Sequence, residues 1–140
     1  MSETVHASCV AIGGRGVLLF GASGRGKSDL ALRLIDRGAG LVSDDYTLVR
    51  AWEGRLYGSA PPAIAGKLEV RGVGIAAIES IAEAPVCLVV ELDSEPERLP
   101  EPHRRSFLGQ ELPAIALAAL EASAPIKLEL ALALYGLPAP

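Results

Sequence analysis

The chain has 140 residues, of which 50% are hydrophobic and only 4% aromatic, and a formal charge of −4. This length suits one domain, residues 1–140, with an aliphatic core that needs no disulfide staples and enough spare apolar surface for homo-oligomer contacts. No basic stripe, no apolar run of membrane-spanning length and no signal-peptide order at the start argue against a nucleic-acid partner, membrane insertion and export.

Cys9 and Cys87 lie far apart in the chain and suit reduced, buried thiols, which favours the cytoplasm. In chain order, "VHASCVAI" (Val5 to Ile12) reads as a strand, and "GGRG" turns it into the apolar strand "VLLF", Val17 to Phe20. After a glycine-rich loop, Leu30, Ala31, Leu34 and Ile35 recur at helical spacing, and "RGAG" (Arg37 to Gly40) supplies the stop. Extended chain resumes at Leu41 to Ser43 and again at Tyr46 to Arg50, and Glu53-Gly54 turns it into "RLYGS". "APPAIAG" is a loop, "KLEVRGVGI" (Lys67 to Ile75) begins with strand alternation, and "PVCLVVEL" (Pro85 to Leu92) is a buried strand. Asp93 to Gln110 is charged, carries prolines and reads as a long loop. "LPAIALAAL" fits a strand or a helix, and Pro125 to Tyr135 fits a terminal helix capped by Ser123. There is no internal repeat.

"GASGRGKS" satisfies G-x-x-x-x-G-K-[ST] between an apolar strand and an amphipathic helix, which is the context the motif needs. Gly21, Ala22, Ser23, Gly24, Arg25, Gly26, Lys27 and Ser28 are therefore expected to cradle a nucleoside triphosphate. Backbone N–H groups and the helix N-terminus would face the phosphates, Lys27 would reach the β- and γ-phosphates, and the Ser28 hydroxyl would ligate Mg²⁺. Asp44 and Asp45 follow one helix later. A crossover to a neighbouring parallel strand would return them to the phosphate edge of the sheet. Adjacent side chains of an extended chain point oppositely, so one acid should serve the metal or loop and the other accept a proton, with spacing alone not choosing between them. Glu69 and Arg71, two apart on an expected strand, share a face and suit either a metal ligand beside a phosphate clamp or a surface ion pair.

The ordered set "VHA" (Val5 to Ala7), "GxSGxGKS", "DRG" (Asp36 to Gly38), "SDD" (Ser43 to Asp45) and "LEVRGVGI" (Leu68 to Ile75) resembles the catalytic domain of HPr kinase/phosphorylase. The match is dense over the first half of the chain and weak beyond it. The resemblance implies an α/β fold with a P-loop kinase core related to phosphoenolpyruvate carboxykinase, built on a mixed β-sheet with a helix after the phosphate loop. It also implies ATP and Mg²⁺ as cofactors, a serine of the phosphocarrier HPr as acceptor, and assembly as a hexamer. It assigns Lys27 to the phosphates, Ser28 and Glu69 to Mg²⁺, and Asp45 to proton transfer, which leaves Asp44 on the metal side. His6 matches a histidine near the active site, and Arg71 belongs to a segment the family uses in both reaction directions.

The chain departs from the family pattern in two places. The motifs begin almost at Met1, as in a short form without the family's additional N-terminal domain. The late arginine-bearing loop, tied to phosphorolysis, is not visible: Glu121 to Leu130 carries only Lys127 as a basic residue, while Arg104 and Arg105 in the charged loop could supply a substitute charge or dock an acidic patch. The expected reaction is phosphoryl transfer from ATP to a protein serine. The alternatives are a P-loop kinase for a small molecule and an ATP-binding module that regulates a partner, such as a sensor kinase, without transfer.

Overall fold

Alternating and continuously apolar segments dominate this chain, and the computed structural model, which describes residues 1–22 and 24–140, resolves them into strands and two helices. The strands are β1 (Ser2–Val5), β2 (Ala7–Ile12), β3 (Arg15–Phe20), β4 (Gly40–Ser43), β5 (Thr47–Trp52), β6 (Arg55–Ser59), β7 (Lys67–Val70), β8 (Gly74–Ala77), β9 (Ala84–Glu91), β10 (His103–Phe107) and β11 (Gln110–Ala116). The helices are α1 (Lys27–Asp36) and α2 (Ala124–Tyr135). Neither is long and apolar enough to cross a membrane.

β3 is flanked by β9, parallel to it, and by β2, antiparallel to it, and β4 lies beyond β2. The other edge of β9 is shared, its first residues pairing with β6 and its last with β11. From β6 the sheet continues to β5 and β1, while β10 pairs β11; β7 and β8 form a separate hairpin. One sheet face buries Val10, Val17, Leu19, Leu88 and Val90 against Leu30 and Leu34 of α1 and Leu128 and Leu132 of α2. Cys9, Leu18, Val49, Leu56, Val89 and Leu112 form a second core on the opposite face. Consecutive residues such as Leu18 and Leu19 thus serve different cores, as the period-two geometry of a strand requires.

α1 ends in paired hydrogen bonds, Gly38 N–H to the Ile35 carbonyl and Ala39 N–H to the Leu34 carbonyl, with Gly38 at φ 109°. That is the glycine stop read from "RGAG". β4 then meets β2 with one residue to spare. Cys9 faces Ser43 while Val10 faces Leu41, which leaves Val42 unpaired in a bulge.

Five expectations change. The crossover from β3 through α1 does not end on an adjacent strand, because β2 lies between β3 and β4; two antiparallel pairings still leave β3 and β4 parallel, so their carboxyl ends share an edge. The strand read over Val5 to Ile12 breaks at His6, where β1 pairs with β5 and β2 departs to pair with β3 and β4. The loop read from Asp93 to Gln110 contains β10, which pairs with β11 around a turn at Leu108 and Gly109. Arg71 lies in the turn after β7, so strand alternation with Glu69 does not reach it. Ser123 makes no side-chain cap on α2; its carbonyl accepts the Lys127 N–H. Of the readings left open, "LPAIALAAL" begins as strand β11.

Candidate active site

The carboxyl ends of β3, β4 and β9 and the start of β2 meet at one sheet edge, which brings Gly21, Asp44, Asp93 and His6 together. The phosphate-loop glycines explain themselves locally. Gly24 and Gly26 have φ 83° and 87°, and a Cβ on Gly26 would lie 3.0 Å from Leu120 Cδ2 and 3.3 Å from Ala119 Cβ. Of the expected cradle, Ser23 lies outside the described residues.

Lys27 opens α1 with its side chain only 4% exposed. Its ammonium donates to the Gly21 carbonyl at 2.7 Å and lies 3.3 Å from Asp45 Oδ1 and 3.2 Å from His6 Nε2. A buried ammonium needs such partners, since desolvation without them is costly. His6 Nε2 also lies 2.9 Å from Asp45 Oδ1. A single ring nitrogen cannot donate to Asp45 and accept from Lys27 at once, so the position of the imidazole proton selects one contact. The ring stacks on Tyr46, with centroids 4.8 Å apart.

The two acids diverge, but in a bend beyond β4 rather than in the extended chain that the sequence reading assumed. Asp44 is buried; its Oδ1 accepts the Ser28 hydroxyl at 2.6 Å and the Ser8 hydroxyl at 3.1 Å, and its Oδ2 accepts the Glu69 N–H at 3.0 Å. Asp45 has φ 64° and a half-exposed side chain directed to His6 and Lys27, and its N–H donates to Ser8 Oγ at 2.9 Å. The turn carrying them is pinned on both sides: the Ser43 hydroxyl donates to the Tyr46 carbonyl, and the Thr47 hydroxyl to the Ala7 carbonyl at 2.7 Å. Partial burial pushes the Asp45 carboxyl up, but hydrogen bonds from His6 and Lys27, reinforced by their charge, hold it below its ordinary value. Asp45 is therefore an ionised acceptor at neutral pH.

Lys27, Ser28, His6, Asp44 and Asp45 thus form one connected set. Glu69 joins it through its backbone, while its carboxylate is exposed and bonds none of them. Arg71 is exposed in its turn and takes part in no ion pair among the described residues. Lys127, on α2, pairs with Glu121 just ahead of the helix, at 2.9 Å.

Three contributors escaped the sequence reading. Ser8, fully buried on β2, touches both acids. Asp93 accepts the Ala22 N–H at 2.9 Å and faces Arg25 at 3.4 Å. It follows the apolar strand β9 as Asp44 follows β4, so the same edge argument could have found it. Tyr46 carried no signal beyond adjacency. An open cleft of about 350 Å³ runs beside the loop, lined by His6, Phe20, Gly21, Ala22, Asp93 and Arg105 among others. Arg105 lies over the Phe20 ring, 4.3 Å from its centroid, and reaches Glu91 at 3.8 Å.

Comparison with known proteins supplies the family. The model of the HPr Serine kinase C-terminal domain matches residues 1–94. HPr kinase/phosphorylase of Clostridium tetani is 47% identical over 77 residues, 55% of this chain and 25% of that protein. The enzyme of the same name from Cupriavidus necator is 43% identical over 109 residues, 69% of this chain and 34% of that protein. The chain therefore spans between a quarter and about a third of the length of these curated relatives. The solved structure of the Hpr(Ser) kinase/phosphatase from Coxiella burnetii superposes with a TM-score of 0.80 at 29% identity, covering 91% of this chain and 92% of that one. With two thirds of its length matched by the family model and its fold shared with a solved relative, the chain belongs to the HPr serine kinase C-terminal domain family.

Proposed function

We propose that this domain transfers the γ-phosphoryl group of ATP to a seryl hydroxyl of an HPr-like phosphocarrier protein. The observation that carries the reading is the 3.3 Å approach of the Lys27 ammonium to the Asp45 carboxylate at the mouth of a glycine-rich loop. A group that grips a terminal phosphate and a group that takes a proton stand within one reacting distance of each other. In this reading Lys27 and the N–H groups of the loop and first turn of α1 hold the triphosphate. Asp45 accepts the seryl proton as the seryl oxygen bonds to phosphorus and ADP departs. His6 orients the Asp45 carboxylate, and the relatives' names support HPr as acceptor.

Mg²⁺ fits the oxygen donors present. Ser28 Oγ and Asp44 Oδ1 are adjacent at 2.6 Å, Glu69 meets Asp44 through its N–H, and no cluster of three or more His, Cys, Asp or Glu fit to hold a metal occurs among the described residues. An ion that keeps several waters and shares phosphate oxygens suits so sparse a set, and softer metals do not. When bound, Mg²⁺ would neutralise charge on the transferred group. Self-association belongs to the same reading: Ile126, Leu130 and Leu134 form an exposed apolar stripe along α2 that a second copy could cover.

The test is mass spectrometry of purified cognate HPr after incubation with this protein, Mg²⁺ and ATP, with and without added inorganic phosphate. A single phosphoserine is expected. ATP binding by calorimetry with no phosphoserine on HPr would replace the reading with that of a nucleotide-binding regulatory module.

A further inference from the structure

Ser8 lies in the middle of the sheet, fully buried on β2, one strand away from the phosphate loop on one side and from the acids on the other. Its hydroxyl donates to Asp44 Oδ1 at 3.1 Å, and its oxygen accepts the Asp45 N–H at 2.9 Å. Among the described residues no other side chain bonds to both members of the pair. A hydroxyl is the smallest group that can donate and accept at once, so it can tie a carboxylate to a neighbouring amide inside a close-packed sheet.

Asp45 needs that tie. Its φ of 64° places it in the left-handed region, which residues with a Cβ rarely occupy without local support. Of its backbone and side-chain contacts, the bond to Ser8 holds the amide, while His6 and Lys27 hold the carboxylate. Released from Ser8, the peptide would be free to relax to negative φ and swing the carboxylate away from the ammonium. Asp44 depends on the same hydroxyl in another way. Ser28 shares Oδ1 with Ser8, so when Ser28 turns toward a bound ion, Ser8 still keeps Asp44 oriented.

We propose that Ser8 is a positioning residue that couples the two acids, fixing Asp45 in its left-handed conformation for proton transfer while keeping Asp44 aligned with Ser28. This rests on the phosphotransfer reading above, but its structural half is testable without any turnover.

Two measurements test it on the full chain. In the first, Ser8→Ala and the nearly isosteric Ser8→Cys should lower kcat for HPr phosphorylation about 10- to 100-fold, with the Kd for ATP changed less than about twofold and Ser8→Thr retaining most of the rate. In an Asp45→Asn background the same Ser8 substitutions should change the residual rate less than about twofold. An equal rate loss in both backgrounds would mean that Ser8 does not act through Asp45 and would overturn the proposal. The second measurement is amide hydrogen exchange by NMR. The Asp45 N–H should be protected in the wild type and in Ser8→Thr, and should exchange at least about tenfold faster in Ser8→Ala or Ser8→Cys while its β2 neighbours keep their protection. Unchanged protection of Asp45 would overturn the coupling even if the wild type phosphorylates nothing. A wild type without activity but with this exchange pattern would sink the phosphotransfer reading and leave the Ser8 tie standing.

Discussion

Asp45 combines an uncommon backbone conformation with a carboxylate shared by His6 and Lys27. Asparagine tolerates left-handed geometry, so Asp45→Asn should fold, bind ATP within a few-fold of the wild type and lose about two to four powers of ten in transfer rate. Calorimetry and a radiolabel assay on one preparation check this; equal loss of both would remove Asp45 from proton transfer. The same site sets a pH dependence of stability. The folded-state pKa of Asp45 lies below its unfolded value, so its contribution is complete above about pH 4 and is lost as pH falls through the folded value. The difference in melting temperature between wild type and Asp45→Asn should therefore narrow as pH drops below about 4, measured in thermal scans at stepped pH. A widening gap would contradict the ion-pair geometry. Cys9 shows the opposite behaviour: burial pushes its thiol up to about 12, leaving it an inert core residue, as its spacing from Cys87 suggested.

Gly26 joins the phosphate loop to α1, at the element scale, with φ 87° and with Leu120 and Ala119 crowding the place of a side chain. Gly14, in the β2–β3 turn, has φ 80° with nothing within 4 Å of that place. Gly14→Ala should cost only the backbone strain, about 1–2 kcal/mol. Gly26→Ala should cost more and also weaken ATP binding, which thermal scans with and without ATP would show; equal costs would mean that the contact with the segment after β11 is slack. The loop and α1 were legible in the sequence because glycine demand, helical period and stop signal are all local. β10 was not, because "HRRSF" faces solvent for most of its length and gains strand character from β11 alone. The break at His6 was illegible for a related reason: Ala7 follows its hairpin partner Phe20, while Val5 follows Thr47, which lies far along the chain.

Strand order belongs to the whole molecule and was the least legible feature, since β9 enters between β3 and β6 from more than sixty residues beyond β3. The sequence argument still placed the acids at the correct edge, because an interposed antiparallel strand reverses direction twice. The chain's last residues close the molecule. Arg15 donates to the carbonyls of Leu132 at 3.1 Å and Leu137 at 2.8 Å, Leu137 N–H donates to the Cys87 carbonyl at 2.9 Å, and Arg55 donates to the Pro138 carbonyl at 2.8 Å. Hydrogen bonds from a charged donor contribute about 1.5–3 kcal/mol. Arg15→Ala should lower unfolding free energy by about that much in urea titrations, and Arg15→Lys should recover only part, because an ammonium cannot reproduce the guanidinium fork. Full recovery by lysine would show that charge alone pins the tail.

Val42 stands opposite no residue of β2, and parity does the rest. Were the ladder to run on regularly, with Val42 itself opposite Cys9, Ser43 and Asp44 would exchange faces and the Asp44 carboxylate would turn away from Ser28. The single unmatched residue is thus the vernier that sets the Asp44 carboxylate against Ser28.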